Sequence, residues 1–269
     1  MLETMQAPLF FGLIAASVTT IGLVAVSVRG DWSARFSTLM GLAAAGMLLT
    51  LSLLHIAPHA FEYSQHAPAF MLVGFLGGLL LNYTIHALFP ESAGGGRAAA
   101  FTPIMAIAIH SFIDGVIYSV TFAASFTSGV YAALSLILHE FPEGVIAFAI
   151  LRRHAFSNRQ AFFYAFLAAA ATTPLGVLFA SPFMYTLGPE TIGSLFAVSA
   201  GLLLYVATGP LMEPLRDTPP ARSLVALGTG VLIAVGIAML PVHDHDDAED
   251  HAGHHHHMDA PDPLPEPIR

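Results

Sequence analysis

The sequence predicts an all-α membrane protein: eight transmembrane helices with both termini on the outer face. Three observations carry that prediction. First, 55% of the 269 residues are hydrophobic and 10% are charged, against about 25% charged in ordinary soluble domains. Mean hydropathy is +0.71. Second, a bilayer crossing takes about 20 mostly apolar residues, and eight such segments can be drawn, at 8–28, 34–60, 68–89, 102–125, 129–151, 160–183, 191–213 and 221–240. Third, the basic residues alternate. There is no lysine, and Arg29, Arg35, Arg97, Arg152, Arg153, Arg159, Arg216 and Arg222 all fall in or beside the odd loops, while the even loops have none. Arginine-rich loops stay cytoplasmic, so the odd loops face inward and both ends face outward.

Each span has its own boundary signals. Glu3 precedes the first, in place of the basic start and small-residue cleavage site of a signal peptide, so this segment is expected to remain as a helix. The second carries His55, Pro58 and His59 toward its outer end. Behind the third comes "ESAGGGRAAA" (91–100), a flexible connector too short to be a domain. The fourth and fifth are separated by only a few residues around 126–128, which makes them antiparallel neighbours. Residues 1–240 therefore form one membrane domain. The tail, 241–269, holds eight acids and one arginine, so it accounts for −7 of the net charge of −9 and leaves the body at −2. Polar and proline-rich, it cannot pack, and is expected to be a disordered His/Asp-rich tail outside the membrane.

Composition also excludes chemistry. With no cysteine there are no disulfides and no thiolate metal ligands. No soluble domain, organic cofactor or nucleic-acid partner is expected; the partners are the bilayer and small ions.

The informative residues lie in spans four and five. "IAIHSFIDGVIYSV" places His110 and Asp114 four apart, and "LILHEFPEGVIAF" does the same with His139 and Glu143. Residues four apart share a helix face, so each helix offers one imidazole and one carboxylate, and the four converge near the bilayer midplane. Ser111 and Glu140 each follow their histidine by one residue, about 100° round the helix, and edge an adjacent second site. An acid at mid-membrane costs about 3 kcal/mol on insertion scales, and Asp114, Glu140 and Glu143 make three. No arginine lies in the middle of any span to neutralise them; Arg35 and Arg222 stand only at span ends. Protonation, water or histidine is one remedy; a bound divalent ion is the other, and two imidazoles with two carboxylates suit Zn²⁺ and related first-row ions. Pro142 is expected to kink the fifth helix beside the site, and Gly115 and Gly144 to let backbones approach.

"HSFIDG" (110–115) followed by "HEFPEG" (139–144), in the fourth and fifth of eight spans, resembles the ZIP family of divalent metal transporters, in its prokaryotic form. "SLLHIAPHAFE" (52–62), "TTPLG" (172–176) and "AGLLLYVATGPLMEP" (200–214) match more loosely. The resemblance implies transport of Zn²⁺ or a related ion into the cytoplasm, and no enzymatic activity. It implies an inverted-repeat bundle in which a transport group moves against a scaffold, and a homodimer. It places the primary metal site at His110, Asp114, His139 and Glu143, and a second site that shares Asp114 and Glu143 and adds Ser111 and Glu140. Three departures stand out: Ser111 replaces a frequent Asn, Ile113-Asp114 replaces Pro-Glu, and Thr173 occupies a position where some members have glutamate. A long histidine-rich loop between spans three and four is absent. Short loops point to a bacterial inner membrane.

Other groups have two readings each. His55, His59 and Glu62, at i, i+4 and i+7, are either a capture site for the ion or interfacial groups in contact with water. His86 and Glu91 either assist release or simply meet the inner interface, and Glu213 is expected to be an interfacial charge. His243, His245, His251 and His254–His257 read as a metal-concentrating tail or as a tag. Two rival functions fit parts of the pattern: an intramembrane zinc enzyme, since "HEFPE" begins like an HExxH helix, and a cation exporter using the His110-x-x-x-Asp114 pair.

Overall fold

The computed structural model describes residues 2–28, 34–88 and 95–239. Arg29, Glu91 and the tail from 241 onward lie outside the described residues. The elements, in order, are α1 (Leu2–Ser27), α2 (Ala34–Leu51), α3 (Ala57–Tyr63), α4 (Ala67–Leu88), α5 (Phe101–Ala124), α6 (Phe126–Arg153), α7 (Asn158–Ala165), α8 (Thr172–Ala180), α9 (Pro189–Thr208) and α10 (Pro220–Ala238). They make an all-α membrane protein with eight helical runs long and apolar enough to cross a bilayer. Short segments bound by π-type hydrogen bonds join α2 to α3 (Ser52–Ile56) and α7 to α8 (Phe166–Ala170).

Local chemistry explains the ends. Ser157 accepts from the Gln160 amide and Gln160 accepts from the Ser157 amide, a capping box that starts α7. Proline sits in the first turn of α9 and α10, where its missing N–H costs nothing. Only Ser125, in extended conformation, separates α5 from α6, so the expected loop is shorter than drawn and α6 begins at Phe126. The seventh span is helical only to Thr208, since Gly209 leaves the helical region, and a 3₁₀ turn, Glu213–Arg216, follows. Pro142 does not interrupt α6. Pro58 and Pro174, in contrast, each follow a π segment: a proline gives the carbonyl four residues back no amide, and the ladder slips by one residue. The Ala57 amide reaches Ser52 and the Ala171 amide reaches Phe166, five residues back in both cases.

The helices form two groups. In one, α1 packs on α6, and α5 on both α6 and α8; in the other, α2 packs on α10, and α4 on α9. Exchanging spans one with six, two with seven, three with eight and four with five maps this pairing onto itself, as an inverted repeat requires. Glycines set the spacing of four of these five pairs, all but α5 on α6. A methyl on Gly22 would strike the Phe141 carbonyl, and one on Gly144 the Thr19 carbonyl, so α1 and α6 lock reciprocally. Gly115 and Gly176 do the same between α5 and α8, against the Thr173 and Phe112 carbonyls. Gly74 with Gly201, and Gly46 with Gly230, repeat the arrangement in the second group. In lipid, where apolar side chains gain little by leaving one apolar medium for another, such backbone approach is a main source of helix adhesion.

Burial follows the grouping. The most apolar windows of α5 and α6 are each 67% buried, while those of α4 and α10 are 17% buried and face outward. The two helices that carry the buried acids are therefore the most enclosed of the spans among the described residues.

Gly144→Ala is expected to lower the thermal unfolding midpoint in detergent, with an overpacking cost of about 1–3 kcal/mol. Gly77→Ala, on the same test, is expected to be neutral or slightly stabilising, because a methyl there meets nothing within 4 Å. Equal midpoints for the two variants would contradict the packing described.

Candidate metal centre

His110 and Asp114 project from α5, and His139 and Glu143 from α6, toward one point. His110 Nε2 lies 3.5 Å from Asp114 Oδ2 and 4.0 Å from Glu143 Oε2, and His139 Nε2 lies 3.0 Å from the same Asp114 oxygen. One ligand atom from each residue falls within 4.8 Å of the other three. The two imidazole centroids are 5.4 Å apart. All four side chains are buried.

The electrostatics are incomplete from protein groups alone. No arginine is paired with either acid; among the described residues their close ionic contacts are with the two imidazoles. Asp114 Oδ1, Glu143 Oε2 and His139 Nδ1 are buried without a hydrogen-bond partner. Buried polar atoms are nearly always satisfied, so three orphans on the cage residues show a cluster whose polar capacity the protein leaves partly unused. The donor set is that of a zinc-type ion.

A neighbouring residue orients the cage. His110 Nδ1 is 2.7 Å from the Ser199 hydroxyl on α9, which leaves Nε2 turned inward. Such outer hydrogen bonds set the tautomer and aim of a ligating histidine. Ser199 belongs to the other helix group, and nothing in "FAVSAG" distinguishes it in sequence from a serine packed in a span.

Ser111 and Glu140 are placed differently. The Ser111 hydroxyl bonds Glu143 and lies 2.9 Å from the Ile107 carbonyl, so it braces a cage carboxylate. Glu140 is fully buried and accepts from the Thr19 hydroxyl of α1, while its Oε1 has no partner. Neither belongs to the compact four-residue cluster. Thr173 is buried, and its hydroxyl has no partner.

Two cavities adjoin the bundle axis. The one at the cage, about 10 Å³, is lined chiefly by apolar side chains including Leu48, Leu51, Ile107, Ile146 and Leu203. That is room for about one water. The other, about 380 Å³, opens at the opposite end from His59 and is lined by His86, His154, Tyr205, Glu213 and Arg216 among others. Glu213 is exposed and pairs with Arg153 at 3.9 Å, as an interfacial charge should. Burial pushes the His154 imidazole below its ordinary pKa.

The family described as ZIP Zinc transporter matches residues 90–240, more than half of the chain and all of the cage. The chain belongs to the ZIP family. Among curated relatives, zinc transporter ZIP13 of Pongo abelii is 26% identical over 239 residues, covering 82% of this chain and 70% of that protein. Zinc transporter ZIP10 of Danio rerio is 32% identical over 153 residues, 54% of this chain and 18% of the relative. Zinc transporter foi of Drosophila melanogaster is 29% identical over 144 residues, 53% of this chain and 20% of the relative. The similarity thus spans about a fifth of the length of the last two. As a ZIP protein the chain is a multi-pass membrane protein, and Ser111 and Thr173 are both buried in it.

Ser199→Ala is expected to leave His110 Nδ1 buried and unpaired, at a cost of about 1–3 kcal/mol. A lowered unfolding midpoint, restored by Ser199→Thr, checks this; an unchanged midpoint would show the bond contributes nothing.

Proposed function

We propose that this protein carries a divalent transition-metal ion, zinc foremost, across a membrane into the cytoplasm through the cage of His110, Asp114, His139 and Glu143. The observation that carries the reading is the buried pair of carboxylates and pair of imidazoles with no protein cation beside them. An ion supplies the missing charge, and the cage replaces its water shell with four donors at bond lengths of about 2 Å. The zinc transported by the relatives named above is consistent with this cargo.

Transport also requires that the ion leave. All four donors lie in one helix group, while Ser199 of the other holds His110. Movement of one group against the other would break that bond and change which end of the cage meets water, as alternating access demands. The large cavity beside His86 and Glu213 is the inward release path in this scheme. Ser111 braces Glu143, and Glu140 extends the donor set toward α1 as an adjacent position for the ion. An intramembrane hydrolase fits less well, because the cage cavity of about 10 Å³ leaves no cleft for a substrate beside the metal. The membrane in question is a bacterial inner membrane, with both chain ends periplasmic.

In proteoliposomes offered Zn²⁺, Fe²⁺, Mn²⁺, Co²⁺, Ni²⁺ or Cd²⁺, the wild type is expected to show saturable accumulation. The His139→Ala/Glu143→Ala double variant, verified as folded by size-exclusion chromatography, is expected to fall to the level of protein-free vesicles. Near-normal uptake by the variant would remove the cage from the mechanism. Orientation has its own check in bacterial cells: alkaline phosphatase fused at the C-terminus should be active, and fused after Arg153 inactive. The reverse pattern would invert the assigned direction.

A further inference from the structure

The bond of 2.7 Å between His110 Nδ1 and the Ser199 hydroxyl ties a cage ligand to the other helix group. Both residues are buried, so bulk water is no substitute partner for either. Along residues 195–204 of α9, Ser199 is the only one with a polar side chain. One turn away in either direction stand Leu195, Phe196, Leu202 and Leu203, and Leu203 itself lines the cage cavity. Packed helices that change partners do so in steps of up to one turn, about 5.4 Å. Such a slide of α5 along α9 would set hydrocarbon against His110 Nδ1 where the hydroxyl now stands.

The far side of the ring shows why an ion would feel this. His110 Nε2 lies 3.5 Å from Asp114 Oδ2. A metal takes the lone pair at Nε2, so the hydrogen of the neutral ring must then sit on Nδ1, where it needs an acceptor. In the empty cage the hydrogen can sit on Nε2 instead and point at Asp114. A hydroxyl donates as well as accepts, so Ser199 serves both forms; a leucine or phenylalanine serves neither. The loss falls harder on the loaded form, because a bound cation draws charge from the ring and makes Nδ1–H the stronger donor.

We propose that Ser199 is a positioning residue that makes the metal affinity of the cage depend on where the two helix groups stand. In the arrangement described, the hydroxyl accepts from His110 Nδ1–H and the cage holds its divalent transition-metal ion tightly. Once the groups have moved, the acceptor is gone, the ring hydrogen returns to Nε2, and His110 ceases to be a good ligand. The ion then leaves while the other three donors stay in place. The ring is neutral before and after, so the step needs no proton from outside. The inference rests on the transport reading above and deepens it, by giving the break between the groups an effect on affinity.

The test is equilibrium Zn²⁺ binding to the purified full chain, run beside Zn²⁺ uptake in proteoliposomes. Cage binding is taken as the part that the His139→Ala/Glu143→Ala double variant loses, which sets aside the histidines of the tail. Ser199→Val and Ser199→Thr have the same shape and differ only in the hydroxyl, so each controls for the packing of the other. Ser199→Val is expected to weaken cage binding about 10- to 100-fold, and Ser199→Thr to stay within about threefold of wild type. In uptake, Ser199→Val should raise KM while the maximal rate holds or rises, because the loaded cage no longer has a bond to break before release. Affinities of the two variants within about twofold of each other overturn the proposal, whether both match the wild type or both fall. A maximal rate that drops as far as the affinity also overturns it, since the hydroxyl would then serve the cage in both positions. A wild type that binds Zn²⁺ in the cage but never accumulates it defeats the transport reading, and the release step with it; the binding comparison separates that failure from a failure of the bond.

Discussion

Three carboxylates lie buried in a segment made for hydrocarbon, and no arginine or lysine accompanies them. That imbalance constrains the rest of the molecule. The acids sit on the two most enclosed helices, away from lipid, and each has only partial satisfaction from protein groups. Glu143 takes a hydroxyl from Ser111, Glu140 takes one from Thr19, and Asp114 shares the imidazoles. Orphaned oxygens remain on all three. A structure optimised for stability alone would not keep them; one that must bind a cation and release it has reason to leave them under-satisfied.

The architecture supports that condition by keeping the cage on a rigid base. Reciprocal glycine-to-carbonyl contacts fasten α1 to α6 and α5 to α8 immediately beside Asp114 and Glu143. The same device fastens α2 to α10 and α4 to α9. Polar contacts that cross between the two groups include His110 to Ser199, His55 to Ser135, Asn82 to Thr102, and Arg153 to Glu213 and to the Pro210 carbonyl. Each is a polar contact of the sort that can break and reform, whereas the glycine seams are steric. The cage lies where the two groups meet, so relative movement would alter its surroundings while leaving its four donors together.

Much of this was legible in advance, and the reasons differ by feature. Eight spans followed from hydropathy, because the bilayer imposes one length on every crossing. The i, i+4 pairs His110/Asp114 and His139/Glu143 followed from helix geometry, and the short link between their spans made them neighbours. The glycines beside the acids were readable as points of close approach, though not which carbonyl each would meet. The kink expected at Pro142 did not appear as a break in α6, while Pro58 and Pro174 lie two and four residues beyond π segments that local propensity did not foretell.

By itself, the sequence determined the elements and the chemical inventory, since span length, arginine bias and four-residue spacing are local properties of the chain. Tertiary structure decided the partners. Only the packing of α9 against α5 brings Ser199 to His110, and only α1 against α6 brings Thr19 to Glu140. The π turn and the seam between helix groups bring His55 to the cage. These pairs are separated by 89, 121 and 84 positions, and at such distances nothing in local periodicity selects one serine, threonine or histidine over another. Contact there depends on how close two backbones come; glycine against carbonyl sets that distance for Thr19 and Glu140, and the packing of one helix group on the other sets it for Ser199 and His55.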